Sequence, residues 1–323
     1  MSLRVQSLNI YYPMQKQHMF AKETYMHAVK DLSFSVETGQ TLGIVGESGC
    51  GKSSVARALL GLQPHLTGEI WWHQHALHDC SDQQWMPLRR DIQMIFQDPL
   101  ASLDPRFTIE QCIQEPLNAL YPELTQIQKQ HRVEKMMQRV GLSPELKHRY
   151  PHEFSGGQCQ RVGIARALIV EPKLLICDEP VSALDVLIQA QIIQLLKELQ
   201  QALNLTMIFI SHDLNVIGQI SNQIMVMYLG RLMEWADKTT LQTQAKHPYT
   251  QALWNAIPNP FQPQRKTCTL LYGEIPSILT PPSGCVFHTR CPYVMPQCKI
   301  SPPSYVSLSS TQKTACYLIT QDK

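Results

Sequence analysis

Residues 46–53 read GESGCGKS and fit the pattern G-x-x-x-x-G-K-[ST]. The apolar segment TLGIV precedes them, and apolar residues at helical spacing, such as Val55 and Leu59, follow them. The stretch is therefore predicted to join a strand to a helix, which is the context that this pattern requires. Glycines let backbone N–H groups turn toward phosphate oxygens, and the N-terminus of the helix adds a favourable field. The stretch predicts a phosphate-binding loop within an α/β fold.

Two side chains of this loop have a specific expected role. Lys52 would reach the β- and γ-phosphates of a nucleotide, and Ser53 would bind Mg²⁺. Cys50 is interpreted as a small filler rather than as a reactive thiol. The predicted nucleotide-binding residues of the loop are Gly46, Glu47, Ser48, Gly49, Cys50, Gly51, Lys52, Ser53 and Ser54.

A second apolar segment, LLICDE at residues 174–179, ends in two acidic residues. Asp178 would lie at the carboxyl end of a buried strand, where the metal ion of a nucleotide site is expected. Glu179 could orient or deprotonate an attacking water. An acidic pair at this place could instead cap a helix, and the sequence alone leaves this alternative open.

Strand-like and helix-like segments alternate along the middle of the chain. Residues 185–204, between LLICDE and TMIFIS, carry apolar side chains at helical spacing. Buried strands that alternate with amphipathic helices predict a largely parallel sheet. Beyond about residue 255 the sequence becomes rich in proline, as in PNPFQPQ and TPPSG. This composition predicts a linker or a loop-built appendage rather than more sheet.

Composition argues against several classes of protein. The 323 residues include 28 Lys and Arg against 26 Asp and Glu, so the net charge of +2 gives no reason to expect a nucleic-acid partner. No apolar run approaches the roughly 18 residues of a membrane span, and the first residues lack the pattern of a signal peptide. The expected compartment is the cytoplasm, where clustered cysteines bind metal more often than they form disulfides.

Further motifs occur in a fixed order around these two. FSGGQ at residues 154–158 opens a helical segment about twenty residues before Asp178. Gln97 stands in MIFQDP, SALD occupies residues 182–185, and His212 stands in ISHD. Together the motifs resemble those of ATP-binding-cassette ATPases, in which they are the signature, the Q-loop, the D-loop and the switch histidine.

The resemblance implies a fold and a domain organisation. The α/β fold would combine a RecA-like core sheet with the P-loop, an antiparallel β subdomain, a helical signature subdomain and a small Cys-rich C-terminal appendage. Residues 1–255 would form the ATP-binding-cassette domain, with the helical subdomain at about 98–170. Residues 256–323 would form a Pro- and Cys-rich C-terminal region.

Longer segments narrow the resemblance to one branch. YPHEFSGGQ, QDPLASLDPR, DEPVSALDV, VMYLGR and HPYTQAL resemble the ATPase subunits of bacterial dipeptide and oligopeptide importers, those for dipeptides most of all. Nickel importers share most of these segments. The resemblance implies ATP hydrolysis that energises import of di- or oligopeptides, by a peripheral protein on the cytoplasmic face of the cell membrane. Nickel or haem import, or a soluble cassette ATPase without a transport role, are the alternatives. Cys159 departs from the branch, which usually has Arg there.

The resemblance also implies partners and a composite site. Two such ATPases pack head to tail, the expected partner being a related, non-identical ATPase. Two transmembrane permease subunits and an extracytoplasmic substrate-binding protein complete the transporter, with no nucleic acid. The residues expected to bind the nucleotide held by the partner are Ser155, Gly156, Gly157 and Gln158. Those expected to act in hydrolysis are Glu179, His212 and Gln97, and those expected to bind Mg²⁺ are Ser53, Gln97 and Asp178.

The adenine of the nucleotide is expected to lie against an aromatic ring. Tyr12 in LNIYYP occupies the place that the resemblance implies, and Tyr11 and Tyr25 are rivals. Each of these tyrosines could instead belong to the core.

Four cysteines mark the C-terminal region: Cys285, Cys291, Cys298 and Cys316, separated by five, six and seventeen residues. Short structural zinc sites favour C-x-x-C pairs, and these four include none. Wider spacing suits the four thiolates of a [4Fe–4S] cluster. The branch points the same way, because its members end in a GCxF…RC…C…C segment associated with such a cluster. Zinc, with His288 in place of one cysteine, and four free thiols remain alternatives.

Overall fold

The computed structural model describes residues 2–14, 23–256, 273–309 and 311–320. The strands are β1 (Leu3–Pro13), β2 (Tyr25–Val36), β3 (Thr41–Val45), β4 (Leu66–Trp72), β5 (His75–Ala76), β6 (Ile92–Ile95), β7 (Leu174–Asp178), β8 (Thr206–Ser211), β9 (Gln223–Tyr228), β10 (Arg231–Asp237), β11 (Val306–Ser309) and β12 (Gln312–Thr314). The helices are α1 (Lys52–Leu59), α2 (Asp82–Asp91), α3 (Ile109–Leu120), α4 (Gln126–Arg139), α5 (Gly156–Leu168), α6 (Val186–Leu203), α7 (Leu214–Ile220), α8 (Lys238–Gln244), α9 (Pro248–Asn255), α10 (Pro296–Ile300) and α11 (Tyr317–Thr320).

The chain divides into two compact units, each assembled from segments that are distant in sequence. The helical unit comprises residues 1–2, 36–41 and 79–211. The P-loop unit comprises residues 3–35, 42–78 and 212–323.

The helical unit contains a parallel sheet in the order β6–β7–β8. Ile92 pairs with Leu174, and Leu174 pairs in turn with Thr206. Every residue of β7 is buried, as expected for a central strand that is covered on both faces. Helix α6 joins β7 to β8 and buries Ile192, Leu195 and Leu199 at helical spacing. The predicted strand–helix–strand arrangement is confirmed here.

Helices α3, α4 and α5 pack against one another in the helical unit. Their N-caps are Thr108, Thr125 and Ser155, and each hydroxyl accepts a hydrogen bond from the backbone N–H three residues later. The side-chain oxygen of a glutamine at that third position accepts a hydrogen bond from the backbone N–H of the N-cap residue, which completes a capping box. Loss of such a cap typically costs about 1 kcal/mol of stability. These local patterns therefore determine where the three helices begin.

The P-loop unit contains strands of both orientations. Strands β2, β1, β4 and β5 form an antiparallel sheet in that order. Strand β3 pairs in parallel with β9, with Leu42 opposite Gln223. Strand β9 then pairs with β10 in antiparallel fashion. Within this unit, the parallel pair of β3 and β9 is thus extended by the antiparallel strand β10.

The C-terminal region adds strands to the sheet, which corrects the expectation of a loop-built appendage. Strand β12 pairs with β10, where Thr314 lies opposite Glu234, and β11 pairs with β12. Strand β12 thus covers the backbone edge of β10, and β11 covers that of β12. They are only three and four residues long, so no periodicity revealed them. The boundary expected near residue 255 stays a prediction, and residues 257–272 lie outside the described residues.

Candidate nucleotide-binding site

The P-loop follows the fully buried strand β3 and precedes α1. Gly46 has no room for a side chain, because a Cβ there would lie 2.2 Å from the carbonyl oxygen of Met227. Gly51 is the N-cap of α1 and has a φ of 100°, a left-handed conformation that favours glycine. The predicted strand–loop–helix arrangement is confirmed, and it places the N-terminus of α1 at the loop.

The ammonium group of Lys52 lies against the loop itself. Lys52 is 5% exposed, and its Nζ donates hydrogen bonds to the carbonyl oxygens of Gly46 at 2.7 Å and Glu47 at 3.2 Å. A cation held in this position suits the phosphates of a nucleotide. Of the other predicted loop residues, Ser48 and Gly49 are exposed, Glu47, Gly51, Ser53 and Ser54 are half-buried, and Gly46 and Cys50 are buried.

Cys50 has the properties of a packing residue. Its side chain is 3% exposed, and burial raises the pKa of the thiol against the opposing influence of Lys52. A neutral thiol is a poor nucleophile, since the thiolate is the reactive species. The geometry supports the interpretation of Cys50 as a filler.

Of the three candidate tyrosines, Tyr12 contacts the P-loop region. Its hydroxyl donates a hydrogen bond to Oγ of Ser54 at 3.1 Å. The ring of Tyr11 is instead stacked on His27 with centroids 4.4 Å apart, and Tyr25 is exposed. The contact with Ser54 favours Tyr12, while its role at the adenine stays a prediction.

In the helical unit, the structure brings Gln97 and Glu179 together. Nε2 of Gln97 lies 3.4 Å from Oε2 of Glu179, and Asp178 ends β7 with 6% exposure. Glu179 has a φ of 48° and donates its backbone N–H to the carbonyl of Ile210 at 3.0 Å. A non-glycine residue in the left-handed region carries strain, and such residues cluster at functional sites.

The helix that follows the acidic pair is capped by a different residue. Helix α6 begins at Val186, and Oδ1 of Asp185 accepts a hydrogen bond from the N–H of Ile188 at 3.0 Å. Asp185 ends the SALD motif. The alternative in which Asp178 and Glu179 serve as a helix cap is therefore wrong.

The signature motif forms the start of α5. Ser155 is the N-cap, and it exchanges hydrogen bonds with Gln158, whose side-chain oxygen accepts from the N–H of Ser155 at 2.9 Å. A Cβ on Gly157 would lie 2.6 Å from Cγ2 of Ile188. Ser155 and Gly156 are exposed. Because the first N–H groups of a helix have no partner within it, this end of α5 suits an anion.

Cys159, the departure from the branch, is fully buried in α5. Its Sγ lies 3.4 Å from the carbonyl oxygen of Pro151, and burial raises the pKa of the thiol. The cysteine therefore fills space behind the signature and adds no charge.

His212 directly follows β8 and is exposed. The next residue, Asp213, is the N-cap of α7 and accepts a hydrogen bond from the N–H of Asn215 at 2.7 Å. The chain thus leaves the strand at His212 and enters a helix two residues later.

The four C-terminal cysteines line one cavity of the P-loop unit. Cys298 and Cys316 are buried, Cys285 and Cys291 are half-buried, and all four are free thiols. The N–H of Cys285 donates a hydrogen bond to the carbonyl of Cys298 at 2.8 Å, which joins the segments that carry these two cysteines. Other residues that line the cavity include His247, Phe287 and His288.

The electrostatics of this cavity disfavour the thiolate form at three of the four cysteines. Burial raises the pKa of Cys285 and of Cys316 to about 11 each, and it also raises the pKa of Cys291. The neighbouring cysteines raise these values further. Within the part of the chain that the structure describes, no group of three or more His, Cys, Asp or Glu side chains is arranged to hold a metal ion.

Two residues at the P-loop were missed in the sequence. The guanidinium of Arg290 forms an ion pair with Glu47, and the hydroxyl of Tyr249 accepts a hydrogen bond from the N–H of Glu47 at 3.1 Å. Both residues lie more than 200 positions from Glu47, so no local pattern predicts these contacts. In the sequence, these two residues stand out only because they lie in HPYTQAL and RC, two of the segments that resemble the importer branch.

Comparison with known proteins extends these observations. Residues 29–182 match the family described as ABC transporter, and residues 233–298 match the Oligopeptide/dipeptide transporter, C-terminal region. The chain is 52% identical to the oligopeptide transport ATP-binding protein OppF of Haemophilus influenzae, over 93% of this chain and 91% of that protein. The chain belongs to the ATP-binding subunits of peptide transporters. It is also 46% identical to the oligopeptide transport ATP-binding protein AppF of Bacillus subtilis, over 98% of this chain and 97% of that protein.

Solved structures support the same fold for this ATPase subunit. The dimeric structure of a post-hydrolysis state of the ATP-binding cassette MJ0796, bound to ADP and Pi, covers 73% of this chain and 98% of its own, with a TM-score of 0.65 and 26% identity. CbiO1 from Clostridium perfringens, part of the cbiONQ transporter complex, gives a TM-score of 0.64 at 29% identity and covers 75% of this chain and 91% of its own.

Membership of the family confirms the cassette fold, the ATPase activity and the energising of peptide transport. The roles of single residues stay predictions. Among the described residues, none of the helices has the length and apolar character needed to cross a membrane.

Proposed function

We propose that this ATPase subunit energises an oligopeptide importer as one half of a head-to-tail pair with a related ATPase. The pair would bind two membrane-spanning permease subunits at the cytoplasmic face of the cell membrane, and an extracytoplasmic binding protein would deliver the peptide. The observation that carries the proposal is a formed P-loop with buried Lys52, in a chain that also exposes the start of the signature helix, which Ser155 caps. The names of the relatives support oligopeptides as the cargo.

The P-loop would bind the phosphates of ATP through Lys52. Its ammonium group, which now donates to two carbonyl oxygens of the loop, would exchange these for phosphate oxygens. Mg²⁺ prefers oxygen ligands, and the proposed ones are the hydroxyl of Ser53, the side-chain oxygen of Gln97 and the carboxylate of Asp178. The bound ion would neutralise charge that develops on the phosphates.

Glu179 would act on the attacking water. Its Oε2 lies within reach of Nε2 of Gln97, so the amide can hold the carboxylate in one orientation. A carboxylate fixed in this way can orient the water or take its proton. The exposed His212 would contact the γ-phosphate.

The signature would bind the nucleotide held by the partner ATPase. The N–H groups of Gly156 and Gly157 at the start of α5, together with the hydroxyl of Ser155, form a group of donors suited to phosphate. Gln158 supports them through its bond to the N–H of Ser155.

Affinity purification of the full chain from a host membrane tests the proposal. We expect a second, related ATPase and two multispanning proteins to co-purify with it. Co-purification of ribosomes or DNA, without membrane proteins, would instead indicate a soluble cassette ATPase.

We further propose that the four C-terminal cysteines hold a [4Fe–4S] cluster. A zinc ion with Zn–S bonds of about 2.3 Å would bring its sulfur ligands within about 4 Å of one another. The described residues show no such single-ion arrangement, although all four cysteines line one cavity. Four cysteines that line one cavity match the number of ligands that a [4Fe–4S] cluster takes. When bound, the cluster would supply four bonds that fasten a proline-rich segment with little regular structure.

Anaerobic purification tests this second proposal. We expect iron and sulfide in equal amounts, with a broad absorbance near roughly 400 nm, because Cys₄ ligation is typical of such clusters. Cys298→Ser should remove the colour, whereas Cys80→Ser, which changes a cysteine outside the cavity, should retain it. A colourless protein that carries one zinc ion would overturn the assignment.

A further inference from the structure

A charged contact joins the cysteine-rich segment to the P-loop. Arg290, which directly precedes Cys291, places its Nη1 2.7 Å from Oε2 of Glu47 and its Nη2 3.1 Å from Oε1. The side chain of Arg290 is 6% exposed and that of Glu47 is 22% exposed. Two parallel N–H···O bonds between a guanidinium and a carboxylate form one of the strongest hydrogen-bonded pairs in proteins.

Neighbouring groups fix both members of this pair. Nη1 of Arg290 also donates to the hydroxyl of Tyr228 at 3.4 Å, and its backbone N–H donates to the carbonyl of Phe287 at 3.0 Å. Phe287 is fully buried and packs its ring against those of Tyr228 and Tyr249, with centroids 5.4 Å and 5.2 Å away. Tyr249 accepts a hydrogen bond from the N–H of Glu47. Tyr249 therefore holds the backbone of Glu47, and Arg290 holds its side chain.

The charge of Glu47 conflicts with the role of its loop. Glu47 is the second residue of a P-loop whose ligand is a polyanion. Like charges repel more strongly in a partly buried setting than in water. A guanidinium that forms two hydrogen bonds with the carboxylate neutralises its charge locally. It also fixes the carboxylate in one position. Glu47 is thus compatible with a phosphate ligand as long as Arg290 is paired with it.

We propose that Arg290 is a positioning residue for nucleotide binding, which neutralises and immobilises Glu47 so that the P-loop accepts ATP. The inference rests on the proposed role of the P-loop as the ATP site. It assigns Arg290, and through it the C-terminal region, a part in nucleotide affinity.

Titration of the full chain with a fluorescent ATP analogue tests the proposal. Arg290→Gln leaves Glu47 as an uncompensated carboxylate, so we expect the Kd to rise about tenfold. The double variant E47Q/R290Q removes that charge as well, and we expect its Kd to return to within about threefold of the unmodified protein. The difference in Kd between R290Q and the unmodified protein should also become smaller as the salt concentration rises, since salt screens the repulsion between Glu47 and the phosphates. A residue needed for structure alone predicts the opposite, namely that E47Q/R290Q binds no better than R290Q.

Two controls separate this inference from the proposed function. Lys299→Gln removes an exposed cation of the same segment and should leave the Kd unchanged. Lys52→Ala should weaken binding strongly, and if it binds like the unmodified protein, the P-loop assignment itself fails. Should R290Q not fold, Arg290→Lys carries the test: the retained charge should keep the rise in Kd below about tenfold, although the bidentate pair is lost. A Kd for a folded R290K that rises tenfold or more would contradict the proposal.

Discussion

Glu179 occupies a strained position at the end of β7, where Gln97 contacts its carboxylate. Backbone strain of this kind costs about 1–3 kcal/mol and persists only where the surrounding structure imposes it. The N–H of Glu179 is tied to Ile210, and the hydroxyl of Ser182 donates to its carbonyl at 3.1 Å. These two bonds fix the backbone of Glu179 at the end of β7.

Replacement of this carboxylate tests its role as the base. Glu179→Gln keeps the shape of the side chain but removes its basicity, so we expect turnover to fall about 10²–10⁴-fold while ATP binding stays intact. The measurement is ATP hydrolysis by the assembled transporter, with the site of the partner ATPase inactivated separately. Glu198→Gln, an exposed substitution on α6, is the matched control. Near-normal hydrolysis by E179Q would rule out the role.

At the scale of elements, the contact between α5 and α6 positions the signature. Gly157→Ala would place a Cβ 2.6 Å from Cγ2 of Ile188, so α5 must shift. We expect this variant to reduce ATP turnover of the assembled transporter at least about tenfold, since small displacements of positioning groups are costly in catalysis. Gly163→Ala on the same helix meets nothing within 4 Å and should leave turnover unchanged. Equal activities of the two variants would show that the position of the signature is not critical.

The start of α9 carries a pH dependence that can be measured. Burial lowers the pKa of His247 to about 3, and its neutral Nδ1 accepts a hydrogen bond from the N–H of Tyr249 at 3.1 Å. The unfolded chain binds a proton near pH 6.5 and the folded chain does not, so stability falls as the pH drops below 6.5 toward 3. Between pH 7.5 and 5.5 this histidine should cost about 1.4 kcal/mol of the free energy of unfolding.

His247→Asn keeps a capping side chain that does not titrate. The difference in urea midpoint between the unmodified protein and H247N should therefore narrow as the pH falls from 7.5 to 5.5. A difference that stays constant over this interval would contradict the assignment of a neutral, buried His247.

Local motifs explain which parts of the molecule could be predicted. GESGCGKS and LLICDE each contain their own strand end and turn, so the loop around Lys52 and the position of Asp178 followed from a few adjacent residues. The ion pair of Glu47 and Arg290 could not be predicted in this way, because 243 positions separate the two residues and a single charged residue does not indicate which residue it pairs with. Strands β11 and β12 were missed for a different reason, since segments this short form only against the edge of an existing sheet, here that of β10.

At the scale of the whole molecule, we propose that the chain supplies two kinds of phosphate-binding group. The P-loop with Lys52 would serve its own nucleotide, and the signature at Ser155 would serve a nucleotide held by another ATPase. On this proposal, a single copy of the chain would lack part of each complete site. This division predicts that catalysis depends on assembly, and assembly in turn couples hydrolysis to the membrane subunits.

The rate of ATP hydrolysis by the isolated chain, compared with that of the assembled transporter, tests this account most directly. A preparation shown to be monomeric by light scattering should bind ATP but turn it over at least about a hundredfold more slowly than the complex, because the stabilising donors of the second ATPase are missing. The rate measured with the E179Q variant shows how much hydrolysis comes from contaminating ATPases. Turnover by the strict monomer that equals that of the assembled transporter would contradict the account.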